Sequence, residues 1–377
     1  MKKIVLVVEP MSPQHSIMFD FAESVAVHLK KRSTVTVAST ILDKEKKMSL
    51  SNKGIGAVSP DKPSLPLDAL LRKFGKDNES MLWIESWLTE ALFGKNGVEL
   101  MKILQAEDPD VIINATNTIS LPADLWWILG LPLITTLLDI SLDNYMAKMA
   151  VKFGNAFISG MDRKLTFDMA RNSRRIVASG QYCYDQYASF GINLEKNIVY
   201  GAPDFDSFRP TTRNPKRNFV LAYIGKETEL EAISEMARKG IKIIAFGSKL
   251  PMGTKLEDIR DLVEFRGFVN LDELIDLYSN AMFTAFPFTN ETLGRVPIES
   301  MACGTPVLTY NKQGPSETVV NNETGWLAEN RKELVEKALT LWKSGSTGIS
   351  QSSCESRAAM FGARQSAASL MTILGIN

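Results

Sequence analysis

The sequence predicts an α/β protein made of two doubly wound parallel-sheet domains. Three observations carry this. Short apolar runs alternate with amphipathic helical stretches from the first residues onward, the pattern of parallel pairing with right-handed crossovers. The alternation breaks at an aperiodic stretch rich in Pro, Asp and Arg, residues 201–217 (GAPDFDSFRPTTRNPKR), and then starts again. A length of 377 residues suits two domains.

Residues 3–9 (KIVLVVE) form a continuous apolar run, as for a strand covered on both faces. The run is short and ends at Glu9, so it reads as a first strand rather than a leader peptide. A helix over 17–32 places Phe21, Val25 and His28 on one face, which makes His28 a core residue. TVTVAS (34–39) is the next strand, and the polar stretch from 41 to 80 is a long excursion. Helices then cover 81–92 and 96–106, followed by the strand VIINAT (111–116), a short helix at 121–129 and the strand LPLITTLL (131–138). Helices at 142–153 and 160–171, the strand RIVAS (175–179), a helix at 180–190 and the strand NIVYG (197–201) complete the first half. After the linker come strands at 219–225, 241–247, 264–269, 282–288 and 305–310, with helices at 227–239, 271–279 and 297–303. Helices at 332–343 and 356–373 close the chain.

The composition, 45% hydrophobic and 23% charged, excludes a disordered or fibrous chain. Lys plus Arg (43) equals Asp plus Glu (43), so no global field draws the protein to nucleic acid. Cys183, Cys303 and Cys354 are scattered and form no CxxC pair. That argues against a disulfide framework or zinc site and fits a reducing cytoplasm. The longest charge-free apolar stretch, Leu125 to Leu138, has 14 residues and contains Gly130 and Pro132. A spanning helix needs about 20 residues. Residues 144–175 carry Lys148, Lys152, Arg163, Lys164, Arg171, Arg174 and Arg175 among Met and Phe residues. Two readings stay open there: peripheral contact with anionic lipid, or a core helix with a solvated basic face.

In open α/β sheets ligands bind beyond the carboxyl ends of strands, so the loops after strands matter most. The most informative is TNETLGRVPIESMACGTP (289–306). A strand ends at Phe288, a loop carries Glu291 and Gly294, and a helix begins near Pro297, a residue favoured at a first helical position. The free N–H groups and positive dipole end at that start form an anion site. Gly294 permits close backbone approach to a phosphate. Glu299 in the first turn suits the dipole and could accept two neighbouring hydroxyls. On the residues alone, a solvated loop charge at 291 and a mere dipole complement at 299 stand beside that reading.

Other chemistry finds no support. No GxGxxG follows a strand and opens a helix, and no P-loop occurs, so no dinucleotide cofactor is expected. The triplets Asp108-Pro109-Asp110 and Asp204-Phe205-Asp206 precede a strand and lie in the linker, places unsuited to a metal–diphosphate site. Metal-independent chemistry is expected.

ETLGRVPIESMACGTPVL resembles the EGFGxxxxEAMACGTPVV segment of the group 1 glycosyltransferases, retaining, nucleotide-sugar-dependent enzymes of the GT-B fold. EFRGFVNLDELIDLYSNAMFTAFPF, GPSETVVNNETGWL (314–327) and RIVASGQYCYDQYASFGINLEKNIVYGAPDFDSFRP (175–210) are similar to further family segments, so the likeness covers about 175–330. It implies a GT-B protein with an acceptor-side domain over 1–208 and a donor-binding domain over 209–353. A last helix, about 354–377, would cross back to the first. By position, Glu299 matches the glutamate on the donor ribose and Glu291 the glutamate beside the transferred sugar. Thr292, Leu293 and Gly294 match the loop whose backbone meets sugar and diphosphate. Phe268 and Val269 match the stretch contacting the nucleobase. Lys226, right after Gly225, stands where the family has an Arg that neutralises diphosphate, and Lys lacks that bidentate fork. The family's second basic residue is missing from KETELEAI, which leaves Lys249 or another group to replace it.

The first half departs from the family. The loop after the first strand reads EPMSPQHS rather than Gly-Gly, and Leu138 stands near the expected histidine, with Asp139 next. His15, Asn114, Asn117 and Asp139 lie near strand ends and are acceptor-side candidates. The resemblance implies transfer of a hexose from a UDP or GDP sugar to a hydroxyl of a glycan, lipid-linked or protein-linked acceptor, in the cytoplasm. A non-catalytic nucleotide- or sugar-binding protein on the same fold is the alternative. An epimerase or a phosphorylase is a third reading.

Overall fold

The computed structural model describes residues 1–8, 17–39, 42, 44–60, 95–114, 133–137, 175–189, 191, 193–200, 207–225, 227–247, 259 and 261–376. The chain divides into two compact units: 1–179, 183–203 and 363–377 in the first, 180–182 and 204–362 in the second.

The first unit contains β1 (Lys2–Val7), α1 (Ile17–Leu29), β2 (Ser33–Ala38), α2 (Lys44–Asn52), β3 (Gly56–Val58), α3 (Lys95–Glu107), β4 (Val111–Asn114), β5 (Leu133–Leu137) and β6 (Arg175–Ala178). The helix α4 (Gln181–Ser189) follows. The six strands are all parallel, in the order β3-β2-β1-β4-β5-β6. Ile4, Leu6, Val35, Val37 and Ile113 form the strand side of its core, and Val25 and Leu29 of α1 pack on it. His28 is only half-buried, so the core role expected for it holds in part.

The second unit repeats the architecture. Its elements are β7 (Val220–Tyr223), α5 (Leu230–Arg238), β8 (Ile243–Phe246), β9 (Glu264–Phe265), α6 (Leu271–Asn280), β10 (Thr284–Phe286), α7 (Arg295–Ala302), β11 (Val307–Tyr310), α8 (Gln313–Thr318), β12 (Gly325–Ala328), α9 (Arg331–Ser344) and α10 (Gln351–Ala359). Its sheet, also parallel, runs β12-β11-β10-β7-β8-β9. Read from its other edge, this is the same strand sequence as in the first sheet. The chain therefore winds twice through one topology, that of a nucleotide-binding doubly wound sheet.

Several sequence expectations need correction. The strand expected at 197–201 does not form over its described residues. There the chain touches β6 through separated bonds, Glu195 N–H to the Ile176 carbonyl and Val199 N–H to the Ala178 carbonyl, not a continuous register. The strand expected at 264–269 stops at Phe265, because Gly267 at φ +66° turns the chain. The single helix expected at 356–373 is two. α10 breaks at Met360–Gly362, where Phe361 is buried, and α11 (Ala363–Leu374) follows. Ala363, Ala367, Leu370 and Ile373 of α11 belong to the core of the first unit, whereas Cys354 and Ala358 bury α10 within the second. β3 and β12, three and four residues long, were too short to stand out as apolar runs.

Burial also sets an alkaline limit. It pushes the Cys354 thiol from 9.0 up to about 12 and raises the Cys303 thiol as well. Both thiols are buried. A raised folded pKa gives stability that is whole below the unfolded value and is lost as pH climbs toward the folded one. Unfolding free energy should therefore fall by about 1 kcal/mol per pH unit and thiol above about pH 9. Urea titrations at two alkaline pH values check this, and Cys354→Ala should flatten the slope.

Candidate functional site

In the second sheet the strand order reverses between β7 and β10, the point where doubly wound sheets bind ligands. The loops after these two strands are tied together. Glu229 N–H donates to the Pro287 carbonyl at 3.1 Å, and Thr289 N–H to the Glu227 carbonyl at 2.8 Å. The Thr289 hydroxyl reaches the Glu227 carboxylate at 2.8 Å. Thr228, buried, folds the β7 loop by accepting the Gly225 N–H at 2.8 Å and donating to the Tyr223 carbonyl at 3.2 Å.

α7 is seated by buried hydroxyls. Ser300 lies 2.7 Å from the Thr284 hydroxyl of β10 and 3.0 Å from the Thr305 carbonyl. The Thr305 hydroxyl donates to the Tyr278 carbonyl at 2.6 Å. Gly304, at φ +77°, ends the helix in the left-handed conformation that glycine tolerates. The string ESMACGTP thus fixes the rotation of α7, and with it the direction of Glu299.

The helix starts earlier than expected. Gly294 is its N-cap, at φ +88°, and Arg295 its first residue, so Pro297 is the third rather than the first, and Glu299, expected in the first turn, is the fifth residue and lies beyond it. Pro remains tolerable there because first-turn N–H groups have no intrahelical partner.

Glu299 is 7% exposed. The Tyr278 hydroxyl donates to its Oε2 at 3.1 Å, and the Arg295 guanidinium lies 3.3 Å from its Oε1. Burial, and then the charge of Glu299, hold the Tyr278 hydroxyl well above its ordinary pKa, so it stays a proton donor. Sequence reading missed both partners, although the i,i+4 spacing of Arg295 and Glu299 was there to be read.

Glu291 is half-buried, and its carboxylate turns back over its own loop. Oε1 accepts the Thr292 N–H at 3.0 Å and the Leu293 N–H at 3.4 Å. Two of the three amides expected to meet sugar and diphosphate, those of Thr292 and Leu293, therefore hold an anionic group in this structure, and that group is Glu291.

A second missed residue organises this loop. Gln313 sits at φ +54°, unusual for a non-glycine residue. Its Oε1 accepts the Glu291 N–H at 2.7 Å and its Nε2 donates to Asn290 Oδ1 at 3.0 Å. The next residue, Gly314, donates its N–H to the Glu291 carbonyl at 3.2 Å. Gln313→Gly would relieve the backbone strain but release the loop. Its unfolding free energy should stay within about 1 kcal/mol of the parent, strain relief offsetting lost hydrogen bonds. Turnover or ligand affinity should fall at least several-fold, read by calorimetry beside urea unfolding.

The remaining candidates are distributed as follows. A Cβ at Gly225 would lie 2.3 Å from the Tyr223 ring, so a side chain there would require that ring to move. Phe268 is exposed and Val269 buried, just beyond β9. Asn114 ends β4, at the reversal point of the first sheet. His15, Asn117, Asp139, Lys226 and Lys249 lie outside the described residues. Of the basic stretch 144–175 only Arg175 is described, and it pairs with Glu195 at 3.0 Å. Asp110 of the first D-x-D triplet accepts the Lys3 N–H at 2.7 Å, a structural bond at the start of β1. A hollow of about 440 Å³ beside Ser33 and Gly56 lies at the amino ends of β2 and β3, the wrong edge for a ligand of this fold. Among the described residues no helix is long and apolar enough to cross a membrane.

Comparison with known proteins places this geometry in a class. Anabaena HepE, solved in complex with UDP and glucose, superposes with a TM-score of 0.69 over 100% of both chains at 18% identity. Sucrose-phosphate synthase from Thermosynechococcus elongatus gives 0.70 over 100% of this chain and 98% of that one at 16% identity. The fold is GT-B. Residues 230–359, within the second unit, match the model of the family Glycosyl transferases group 1. D-inositol 3-phosphate glycosyltransferase of Rhodococcus jostii (strain RHA1) is 26% identical over 191 residues. The capsular polysaccharide biosynthesis glycosyltransferase CapM of Staphylococcus aureus is 31% identical over 135 residues. The matched stretches span 42% and 32% of this chain, and 42% and 36% of those relatives' own lengths.

Proposed function

We propose that this protein is a retaining glycosyltransferase that moves a hexose from a UDP or GDP sugar to an acceptor hydroxyl without a metal ion. The observation that carries the reading is the arrangement around α7. A glycine-capped helix mouth, an amide loop that already holds a carboxylate, and the buried Glu299 one turn in all meet at the strand reversal of a GT-B domain. The curated relatives are named glycosyltransferases, and a neighbour of the same fold was solved with UDP and glucose, which supports the donor class.

In this reading Glu299 accepts the ribose hydroxyls and Glu291 swings from its loop toward the transferred sugar. The amides of Thr292 and Leu293 are then released and, with that of Gly294, meet the sugar and diphosphate, and the Phe268–Val269 backbone meets the base. The bond between the anomeric carbon and the diphosphate oxygen breaks, leaving negative charge on the diphosphate. The N–H groups of the α7 mouth and Lys226 stabilise that charge where it develops. The acceptor oxygen bonds to the anomeric carbon on the same face, and its proton passes to the departing phosphate oxygen. No protein base is then required, which suits the absence of a histidine at 138. His15, Asn114 and Asp139 are assigned to the acceptor, a glycan, lipid-linked or protein-linked hydroxyl.

The test is nucleotide release from UDP and GDP sugars with an acceptor mixture, with and without chelator, and the anomeric configuration of the product by NMR. Retained configuration and chelator-independent release are expected. Binding without release would favour the non-catalytic alternative.

A further inference from the structure

Resting on the donor site just proposed, we infer that Arg295 is the basic side chain that contacts the donor diphosphate. Arg295 and Glu299 are four residues apart on α7 and face the same way, joined at 3.3 Å. With a rise of 1.5 Å per residue, Arg295 lies about 6 Å nearer the helix mouth than Glu299. If Glu299 holds the ribose, that displacement is the step from sugar to phosphate.

A cation in the first turn opposes the positive end of the helix dipole, and the carboxylate that pairs with it, Glu299, lies a turn further on. Glu299 engages one arm of the guanidinium, and its second oxygen is taken by Tyr278. The Arg295 Nε is buried with no partner among the described residues, while 27% of the side chain remains exposed. A guanidinium has five donors in a rigid fork shaped for phosphate, so a fork held from behind by a carboxylate still has donors to offer. This supplies a second cation that KETELEAI, after β7, lacks.

The experiment is calorimetric titration of the full chain with UDP and uridine, or GDP and guanosine where the guanine nucleotide binds better. The parent, Arg295→Gln and Arg295→Lys are compared. The parent should prefer diphosphate over nucleoside. Arg295→Gln should weaken diphosphate binding by about 10- to 100-fold and change nucleoside binding by less than about threefold. Arg295→Lys keeps the charge without the fork and should lose an intermediate amount of diphosphate affinity; it carries the test where Arg295→Gln does not fold. Equal losses for both ligands, or no loss for either, overturn the role of Arg295. A parent chain that binds no nucleoside diphosphate overturns the donor-site reading itself, and this inference with it.

Discussion

Glu299→Ala should weaken nucleoside diphosphate binding by about 10- to 100-fold, the range expected when hydrogen bonds to a charged group are lost. The loss should be as large for the bare nucleoside, because the carboxylate is assigned to the ribose. That pattern differs from the diphosphate-selective loss expected at Arg295. Stability should fall as well, by about 1–3 kcal/mol, since the Arg295 guanidinium and the Tyr278 hydroxyl lose their shared acceptor. Glu299→Gln keeps the shape and one acceptor oxygen, so it should recover most of the stability but little of the affinity. Calorimetry and urea unfolding separate the two effects. An unchanged nucleotide affinity in a folded Glu299→Ala protein would refute the ribose role.

Gly314→Ala should produce the second large effect. A Cβ there would lie 2.1 Å from the Thr292 carbonyl oxygen and 2.4 Å from the Leu293 Cα. These neighbours are backbone and cannot rotate away, so the 291–294 loop must move. Overpacking of this kind costs about 1–3 kcal/mol. Because the displaced segment contains the amides assigned to sugar and diphosphate, turnover should fall at least 10-fold even in the folded fraction. Full activity with parental stability would show that the loop does not set the site.

The sequence was informative where chemistry and packing demand the same residues. The two glutamates flanking Gly294 could be read because the fold needs a left-handed residue at the N-cap and the helix mouth suits anions. Cys-Gly-Thr-Pro marked the end of α7, where Gly304 turns the chain and Thr305 anchors it to α6. The strand–helix alternation marked the strands of both sheets apart from the short edge strands β3 and β12, because buried parallel strands are continuous apolar runs.

Other features were hidden for physical reasons. Gln313 adopts a positive φ against its own preference, and only the partners of its side chain, Asn290 and Glu291, explain why glutamine is there. The start of α7 was misplaced by two residues, because proline is tolerated throughout a first turn and not only at its first position. Residues 197–201 are as apolar as a strand, but periodicity cannot tell isolated edge bonds from a register. Arg295 was passed over because Glu299 already had an explanation in the helix dipole. The structure shows instead a carboxylate engaged by a cation one turn away and by a buried tyrosine.

The most direct test of the account is a crystal structure of the full chain with UDP or GDP, whichever stabilises it more against heat. The ribose hydroxyls should lie within about 3 Å of the Glu299 carboxylate. The diphosphate should lie against the amides of Leu293 and Gly294 and the Arg295 guanidinium, with Glu291 withdrawn from the Thr292 and Leu293 amides it holds here. A nucleotide bound elsewhere, with Glu291 still folded over its loop and Glu299 still closed between Arg295 and Tyr278, would contradict it.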